Sequence, residues 1–449
     1  MNINFAERAH NHNWKLDPIV RSLLDTDFYK LLMLQFIWKN FPQVPVTSEI
    51  HNRTVKVRLA ERISTSALKE QLDHVRGLRL RRSELVWLTG NTFYGTKQIF
   101  HPDFLAWLEN DFHLSDYEIS EEKTAGPNGD KTGQLVLRFS GLWTEVTMWE
   151  VYALAIVSEM KTRAALAELN ELELDVLYAR AKTRLWDKIE LLRTVPGLRL
   201  SDFGTRRRHS FLWQEYCVQA LSRALGPALS GTSNTALAYK HDLEAIGTNA
   251  HELPMALAAM ASRGSDDDLR ASQYKVLELW ARSYDNELLI TLPDTFGTTQ
   301  FLEGAPDWVA RWTGQRIDSK DPFVAGDEYI AWLIHRGQDP RTKRLIASDG
   351  LDVRTIVRLH EYFNGRIRFS AGWGTLLTND FRDCHPRGPS AEQDTFGPIS
   401  LVCKLTSADG IPCVKLSDNP NKATGPADLI ERYRRVFGSP VLAEEPVLV

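Results

Sequence analysis

The chain has 449 residues, with 54 Lys and Arg against 58 Asp and Glu and a formal net charge of −4; that length points to two or three domains rather than one small core. The near balance of charge, without long single-sign runs, excludes a general nucleic-acid or anionic-membrane binder, so any anionic ligand has to be held by a local cluster of cations. The four scattered cysteines, Cys217, Cys384, Cys403 and Cys413, form no CxxC pair, and neither the N-terminal residues nor any apolar run has the character of a signal or a membrane span, so the expectation is a cytoplasmic protein in a reducing compartment, without a zinc site, nucleic acid or membrane among its partners.

Residues 22–38, SLLDTDFYKLLMLQFIW, read as a helix started by Asp25, Thr26 and Asp27 as caps or first-turn acids. The helix has almost no polar face, which places it in a core or at a subunit contact. Tyr29 falls in its first turn, where packing alone accounts for an aromatic ring. Residues 44–60 alternate like a half-exposed strand, with Val55, Val57 and Leu59 on one face and Lys56 and Arg58 on the other. A helical run over 61–87 follows. Then 117–120 pairs with 135–139 as a hairpin around the turn Pro127-Asn128-Gly129-Asp130. From 144 to 192 the chain is helical, broken once or twice, and Val146, Trp149, Ala153, Ile156 and Met160 form an amphipathic stripe that core packing explains.

After Pro196 short apolar runs alternate with polar loops and helices. The run 198–201 leads into Asp202-Phe203-Gly204-Thr205-Arg206-Arg207-Arg208, 228–229 into Gly231-Thr232-Ser233-Asn234, and Ile246 into Gly247-Thr248-Asn249-Ala250-His251-Glu252. Further units end in Pro293-Asp294-Thr295, Arg316-Ile317-Asp318-Ser319, Ser348-Asp349-Gly350 and Gly372-Trp373-Gly374-Thr375. Six or seven such units in succession are the pattern of an α/β barrel whose loops converge at one end. An open doubly wound sheet would want a single Gly-rich fingerprint after its first strand, and none is present. Past 380, strands at 399–405 and 412–416 flank Ala408-Asp409-Gly410 as a hairpin, and a last helix covers 427–436. The fold expected is therefore α/β: an irregular α/β barrel over 144–394 with leading long helices, and a discontinuous N-terminal α+β domain over 1–143 completed by 395–449.

The loops carry the chemistry. Gly247 permits a positive φ, Thr248 and Asn249 can cap a helix or hold phosphate, and His251, just before a helix starting at about Glu252, can act as base, ligand or covalent phosphate carrier. Gly231-Thr232-Ser233, Ser348-Asp349-Gly350 and Gly372-Trp373-Gly374-Thr375 offer N–H groups and hydroxyls at helix starts, three cradles suited to a polyphosphorylated ligand. Arg206 and Arg316 can grip phosphate or carboxylate, and Asp294, Asp318 and Asp349 can bind ribose hydroxyls, orient Mg²⁺ or steady a developing cation. Singly, each is as well explained by a turn or a solvated face; recurrence at one position in successive units is what points to a site. Cys384-His385 and His10-Asn11-His12 lack that support and read as incidental.

In this order the motifs DFGTRRR, GTSN, GTNAHE, RIDS, SDGLD and GWGT resemble the nicotinate phosphoribosyltransferase family of type II phosphoribosyltransferases. The likeness runs from Asp25-Thr26-Asp27-Phe28-Tyr29-Lys30 to Lys415-Leu416-Ser417-Asp418. It implies synthesis of nicotinate mononucleotide and pyrophosphate from nicotinate and phosphoribosyl pyrophosphate in NAD salvage, with ATP as co-substrate, Mg²⁺ accompanying ATP and phosphoribosyl pyrophosphate, and coupling through a phosphorylated histidine. On the matching positions, His251 is that histidine, acting with Asp318 and Arg206. Tyr29 and Phe203 sandwich the pyridine ring, the tyrosine reaching over from a second subunit of a homodimer. Thr248 and Arg316 contact nicotinate, with Asp318 and Asp294 near ring and ribose. Arg206, Ser348, Asp349, Gly350, Gly372, Gly374 and Thr375 surround ribose and phosphates. The resemblance leaves the metal ligands unassigned.

There are departures: Lys320 stands in a glycine position of the Arg-x-Asp-Ser loop, Leu253 replaces an aromatic, and Gly350 replaces an Asn common in bacterial relatives. Rival readings are a nicotinamide or quinolinate phosphoribosyltransferase, a non-catalytic phosphosugar-binding regulator on the same barrel, and an unrelated barrel isomerase or aldolase, which would want a catalytic lysine at a strand end.

Overall fold

A computed structural model describes residues 17–125, 131–247, 249–388 and 394–438. Thr248, the Pro127-Asn128-Gly129-Asp130 turn and His10-Asn11-His12 lie outside the described residues. In chain order the strands that build the two main sheets are β1 (Pro45–Asn52), β2 (Tyr117–Ala125), β3 (Lys131–Leu142), β4 (Leu200–Asp202), β5 (Leu229–Thr232), β6 (Ile290–Thr291), β7 (Gly314–Ile317), β8 (Arg344–Ala347), β9 (Arg368–Trp373), β10 (Leu401–Ala408) and β11 (Ile411–Pro412). A small hairpin of Thr92–Phe93 and Thr96–Lys97 stands apart from both sheets.

The first sheet is antiparallel, in the order β11-β10-β1-β3-β2. The hairpin read from the sequence is present, with Tyr117 opposite Phe139 and Ile119 opposite Leu137. β1 sits at its centre, where Ile50 faces Cys403 on one side and Leu137 on the other. The chain after residue 400 thus completes a sheet begun near residue 45.

The second sheet is parallel, in the order β5-β4-β9-β8-β7-β6. That order is a ring read from one side of a gap to the other: β4 through β9 follow the chain around, and β9 returns to pair with β4. Among the described residues no strand pairing joins β5 to β6. The seventh unit expected at Ile246 supplies only a single bridge there, Thr232 to Ala245, and Asn249 Nδ2 then reaches Ile290 O at 3.3 Å. The irregular barrel is an open ring, with Ala245 and Asn249 making these contacts at its gap. Each strand is short and almost wholly buried, as strands covered by helices on one face and core on the other must be.

Three expectations are corrected. The first helix spans Phe28–Asn40 rather than starting at 22, and Asp27, at its cap position, makes no side-chain cap bond. Asp25 instead pairs with the buried Arg208, and Asp27 accepts a bond from Ser233 Oγ at 2.7 Å. A guanidinium removed from water needs a carboxylate, and that demand outweighs a cap. The alternating stretch 44–60 is a strand only to Asn52, with Val46, Ser48, Ile50 and Asn52 turned inward and Val55 exposed. Asn52 ends it by an Asx turn, Oδ1 accepting from Thr54 N at 2.9 Å and Nδ2 donating to Val57 O at 2.7 Å. The long helical segment breaks twice, between Trp143–Val146, Trp149–Leu166 and Glu171–Arg193. The middle helix is not amphipathic: Val151, Ala153, Leu154, Ala155, Ile156 and Val157 are all buried, because helix Thr65–Arg76, β10 and the turn Thr205–Arg207 pack around it.

One continuous core runs through both sheets, and a small satellite core of Phe296, Val414, Tyr433 and Phe437 fastens the last helix, Ala427–Phe437, to the barrel.

Candidate active site

A cleft of about 220 Å³ opens where the carboxyl ends of the parallel strands meet the antiparallel sheet. Loops after barrel strands are free of the packing that fixes the strands themselves, so this end is where side chains can converge. The segment after β4 contributes Phe203, Gly204, Arg206 and Arg207, that after β7 Asp318, that after β8 Ser348, Asp349 and Gly350, and that after β9 Gly374 and Thr375. Arg316 enters from β7 itself and His251 from the start of helix Glu252–Ala261. Tyr29 enters from the first helix of the same chain, so no second subunit is needed to bring that ring to the cleft.

His251 is held on both sides. Nδ1 lies 2.9 Å from Thr295 Oγ1, and Nε2 lies 3.1 Å from Asp318 Oδ2 and 3.6 Å from Asp294 Oδ1. Burial pulls the imidazole pKa below its ordinary value against the opposing pull of Asp294 and Asp318, which keeps the ring neutral near pH 7. Burial also opposes ionisation of Asp318, but Arg316, at 2.7 Å, and His251 outweigh it and hold the carboxyl well below the usual range. Ser348 Oγ completes this cluster, 2.8 Å from Arg316 Nε and 3.0 Å from Asp318 Oδ1. Asp294 lies behind His251 rather than on the cleft wall; its Oδ2 accepts from Ser319 Oγ at 2.5 Å while its buried Oδ1 has no hydrogen-bond donor. The ligand atoms of His251, Asp294 and Asp318 all fall within 4.8 Å of one another, the one such set among the described residues.

Two glycines make room for the two aromatic residues, one against the Phe203 ring and one against the Tyr29 backbone. A Cβ on Gly372 would stand 2.4 Å from Phe203 ring carbons, so that strand position must be bare for the ring to lie flat on it. Gly372 itself is not among the residues that face the cleft. A Cβ on Gly247 would stand 2.7 Å from Tyr29 N, and Tyr94 Oη donates to Gly247 O at 2.7 Å, pinning the loop that leads to His251. The Tyr29 hydroxyl is buried without a hydrogen-bond partner, and burial raises its pKa so that it stays protonated. Gly350 has φ 56°, a left-handed backbone that suits glycine at the turn after β8.

One of the three expected phosphate cradles is closed. Thr232 Oγ1 donates to Asp202 Oδ2 at 2.7 Å, Ser233 Oγ to Asp27, and Asn234 Nδ2 to Asp25 Oδ1 at 2.8 Å. Those polar groups bind the N-terminal segment instead of a ligand. Lys320 also turns away from the cleft, to Glu328 at 2.6 Å and Thr299 at 3.0 Å, and its backbone is not left-handed, so the lost glycine leaves no strain in that loop.

The cations on the opposite wall escape a reading of the sequence. Arg53, Lys404, Lys415 and Lys422 line the cleft from the antiparallel sheet and its extension, with Arg207 beside them. Lys422 Nζ is 2.5 Å from Asp349 Oδ2. Burial, then Lys415, Arg53 and Lys422, push the Lys404 ammonium down to about 6. Crowded cations that depress one another are a site waiting for negative charge. Arg207 and Lys415 lie in recognisable motifs; Arg53, Lys404 and Lys422 are single residues on or beside strands and in a turn, remote in sequence.

Below the cleft runs a buried ionic chain. Lys30, with no exposed surface, lies 2.7 Å from Glu150 and 2.5 Å from Glu252; Glu150 continues to Arg206 at 3.2 Å, and Arg206 to Asp27 at 3.4 Å.

An α/β ring with a cationic wall and a neutral histidine between carboxylates at its strand ends defines a class: barrel enzymes that handle multiply charged phosphate esters. A family model described as the nicotinate phosphoribosyltransferase (NAPRTase) family matches residues 198–441, and one for the N-terminal domain of that family matches 24–158. The chain is similar to the crystal structure of nicotinate phosphoribosyltransferase from Vibrio cholerae, with 32% identity, TM-score 0.83 and coverage of 95% of this chain and 96% of that one. It is also similar to the nicotinate phosphoribosyltransferase from Porphyromonas gingivalis, at 27% identity, TM-score 0.79 and coverage of 94% and 100%. The chain belongs to the nicotinate phosphoribosyltransferase family. Its reaction is transfer of a phosphoribosyl group to nicotinate, giving nicotinate mononucleotide for NAD salvage.

Proposed function

We propose that this transfer is coupled to ATP through a phosphohistidine at His251. The observation that carries the reading is the placement of a neutral imidazole between Thr295, Asp294 and Asp318 in the cleft that also holds Phe203, Arg206 and Arg316. An imidazole nitrogen attacks the γ-phosphorus of ATP; the N–P bond forms as the bond to ADP breaks, and Asp318 and Asp294 stabilise the positive charge left on the ring. In the transfer step the nicotinate ring nitrogen gives its electron pair to C1′ of phosphoribosyl pyrophosphate as the C1′–O bond breaks and pyrophosphate leaves. Water later cleaves the N–P bond and releases phosphate.

Phe203 and Tyr29 are the faces that hold the flat acceptor, which turns an encounter into a positioned reaction. Arg316 is placed to pair with its carboxylate, and Arg206, with Gly374 and Thr375, to meet the phosphosugar. Arg53, Lys415 and Lys422 face the charge that builds up on the leaving pyrophosphate. Mg²⁺, when bound with the phosphates, would supply further charge neutralisation; the ionised Asp318, on the cleft wall, is the carboxylate that fits it.

Incubation with γ-labelled ATP tests the reading. Acid-labile, base-stable label that disappears in His251→Ala supports it, and an unlabelled but active enzyme refutes the coupling. A direct kinetic comparison of nicotinate with nicotinamide tests the acceptor; preference for the amide would displace Arg316 from its role.

A further inference from the structure

Lys30 is a buried ionisable group with no place in the phosphoryl or phosphoribosyl transfer. Its ammonium has no exposed surface and is shared between carboxylates of two other helices: Glu150, in the first turn of Trp149–Leu166, and Glu252, in the first turn of Glu252–Ala261. Glu252 directly follows His251. Its second oxygen accepts from Trp143 Nε1 at 2.6 Å, so the carboxylate is held at both ends. Among the described residues Lys30 is the one cation in ion-pair contact with Glu252.

On the other side the chain returns to the cleft. Glu150 reaches Arg206, whose guanidinium stands 5.9 Å from the Tyr29 ring centroid; the Lys30 ammonium stands 5.7 Å from the same ring. Tyr29 and Lys30 are neighbours on one helix. The group next to the phosphate acceptor and the groups that seat nicotinate and phosphosugar are therefore joined by one fully buried ammonium.

Lys30 and Arg206 carry two positive charges against three negative ones on Asp27, Glu150 and Glu252. A phosphoryl group on His251 adds about −1.5 to −2 more beside Glu252. Asp318 and Asp294, against the ring, meet that charge first; the part that reaches Glu252, the next residue, alters the share of Lys30 between Glu252 and Glu150, because buried charges are screened little. A residue in contact with groups of both sites is one whose arrangement both can bias.

We propose that Lys30 is a positioning residue that carries the phosphorylation state of His251 to Tyr29 and Arg206, and so sets substrate affinity. The proposal rests on the phosphohistidine reading above. It is tested on the full-length enzyme with Lys30→Met, Lys30→Arg and Glu252→Gln. The readouts are label on His251 from ATP, the factor by which ATP lowers the KM for phosphoribosyl pyrophosphate, and ATP consumed per nucleotide formed.

In the wild type, coupling between two sites of this kind is worth about 5–150-fold in affinity. Lys30→Met and Glu252→Gln are expected to keep the label while the ATP-induced fall in KM shrinks below about twofold and ATP consumed per product rises. Lys30→Arg, which preserves the charge, restores part of the coupling. Should Lys30→Met fail to fold, Glu252→Gln removes the same ion pair from the other side and decides the matter. Label present with coupling unchanged in Glu252→Gln overturns the role of Lys30 alone. Absence of label in the wild type overturns the phosphohistidine and this role together.

Discussion

Gly372 shows how a residue can matter by what it lacks. Its motif groups it with the phosphate-binding loop, yet its bare backbone is the floor on which Phe203 lies. Such a role is invisible in a sequence because the ring it serves belongs to the loop after another strand. Gly372→Ala forces the ring off its seat, and a shift of about 1 Å in a positioning group can cost up to about 100-fold. The KM for nicotinate is expected to rise at least tenfold on that scale, while labelling of His251 by ATP stays as in wild type; steady-state kinetics and the labelling assay separate the two. His251, by contrast, was legible at once, as a histidine in a Gly-Thr-Asn-Ala loop ahead of a helix. What the sequence could not show is its protonation. Burial lowers its pKa from 6.5, and only the neutral ring accepts a phosphoryl group. The labelling rate should therefore stay above half its plateau at pH 6.5 and fall further only at more acid pH. A rate already halved at 6.5 would mean that the carboxylates, not burial, govern the imidazole.

At the scale of elements, the acids of Asp25-Thr26-Asp27 have the composition of a helix start, and a helix does start beside them. Their side chains serve a different end, because cap and ion pair draw on the same residue types and only the partner tells them apart. Arg208 binds Asp25 through two parallel bonds of 2.7 and 2.8 Å, both groups almost without exposed surface. Removing one member strands the other in a medium that cannot solvate it. Arg208→Leu is expected to cost about 3–5 kcal/mol. Adding Asp25→Asn should recover part of that loss, since the uncompensated carboxylate is then gone; urea unfolding of the two single variants and the double gives the cycle. Equal and additive losses would mean the pair contributes packing only. The strand order of the ring was legible from the run of β-loop-α units, whereas the gap between β5 and β6 was not: Ile246 has the look of a strand, but Gly231 and Gly247 flank it where a Cβ would collide with Glu244 O and Tyr29 N, and among the described residues one bridge, Thr232 to Ala245, forms there.

At the scale of the whole molecule, the sequence carried the return of the chain to its first sheet, through the hairpin at Ala408-Asp409-Gly410. It did not carry the consequence, that Lys404, Lys415 and Lys422 come back with that return to wall the cleft. Nor did it carry the origin of Tyr29, which the family resemblance implied would cross from a second subunit. Here Tyr29, Phe203, His251 and Lys422 all line one cleft of one chain. Mixing two inactive variants discriminates between these arrangements. If Tyr29 and His251 acted across a dimer interface, Tyr29→Ala mixed with His251→Ala would form heterodimers containing one intact site, and activity would recover to about a quarter of wild type at statistical exchange. With both residues supplied by the same chain, every subunit in the mixture carries one defect and no site is whole. The expected result is no recovery at any mixing ratio, together with a wild-type specific activity that does not change on dilution through the range where light scattering reports any dimer dissociating.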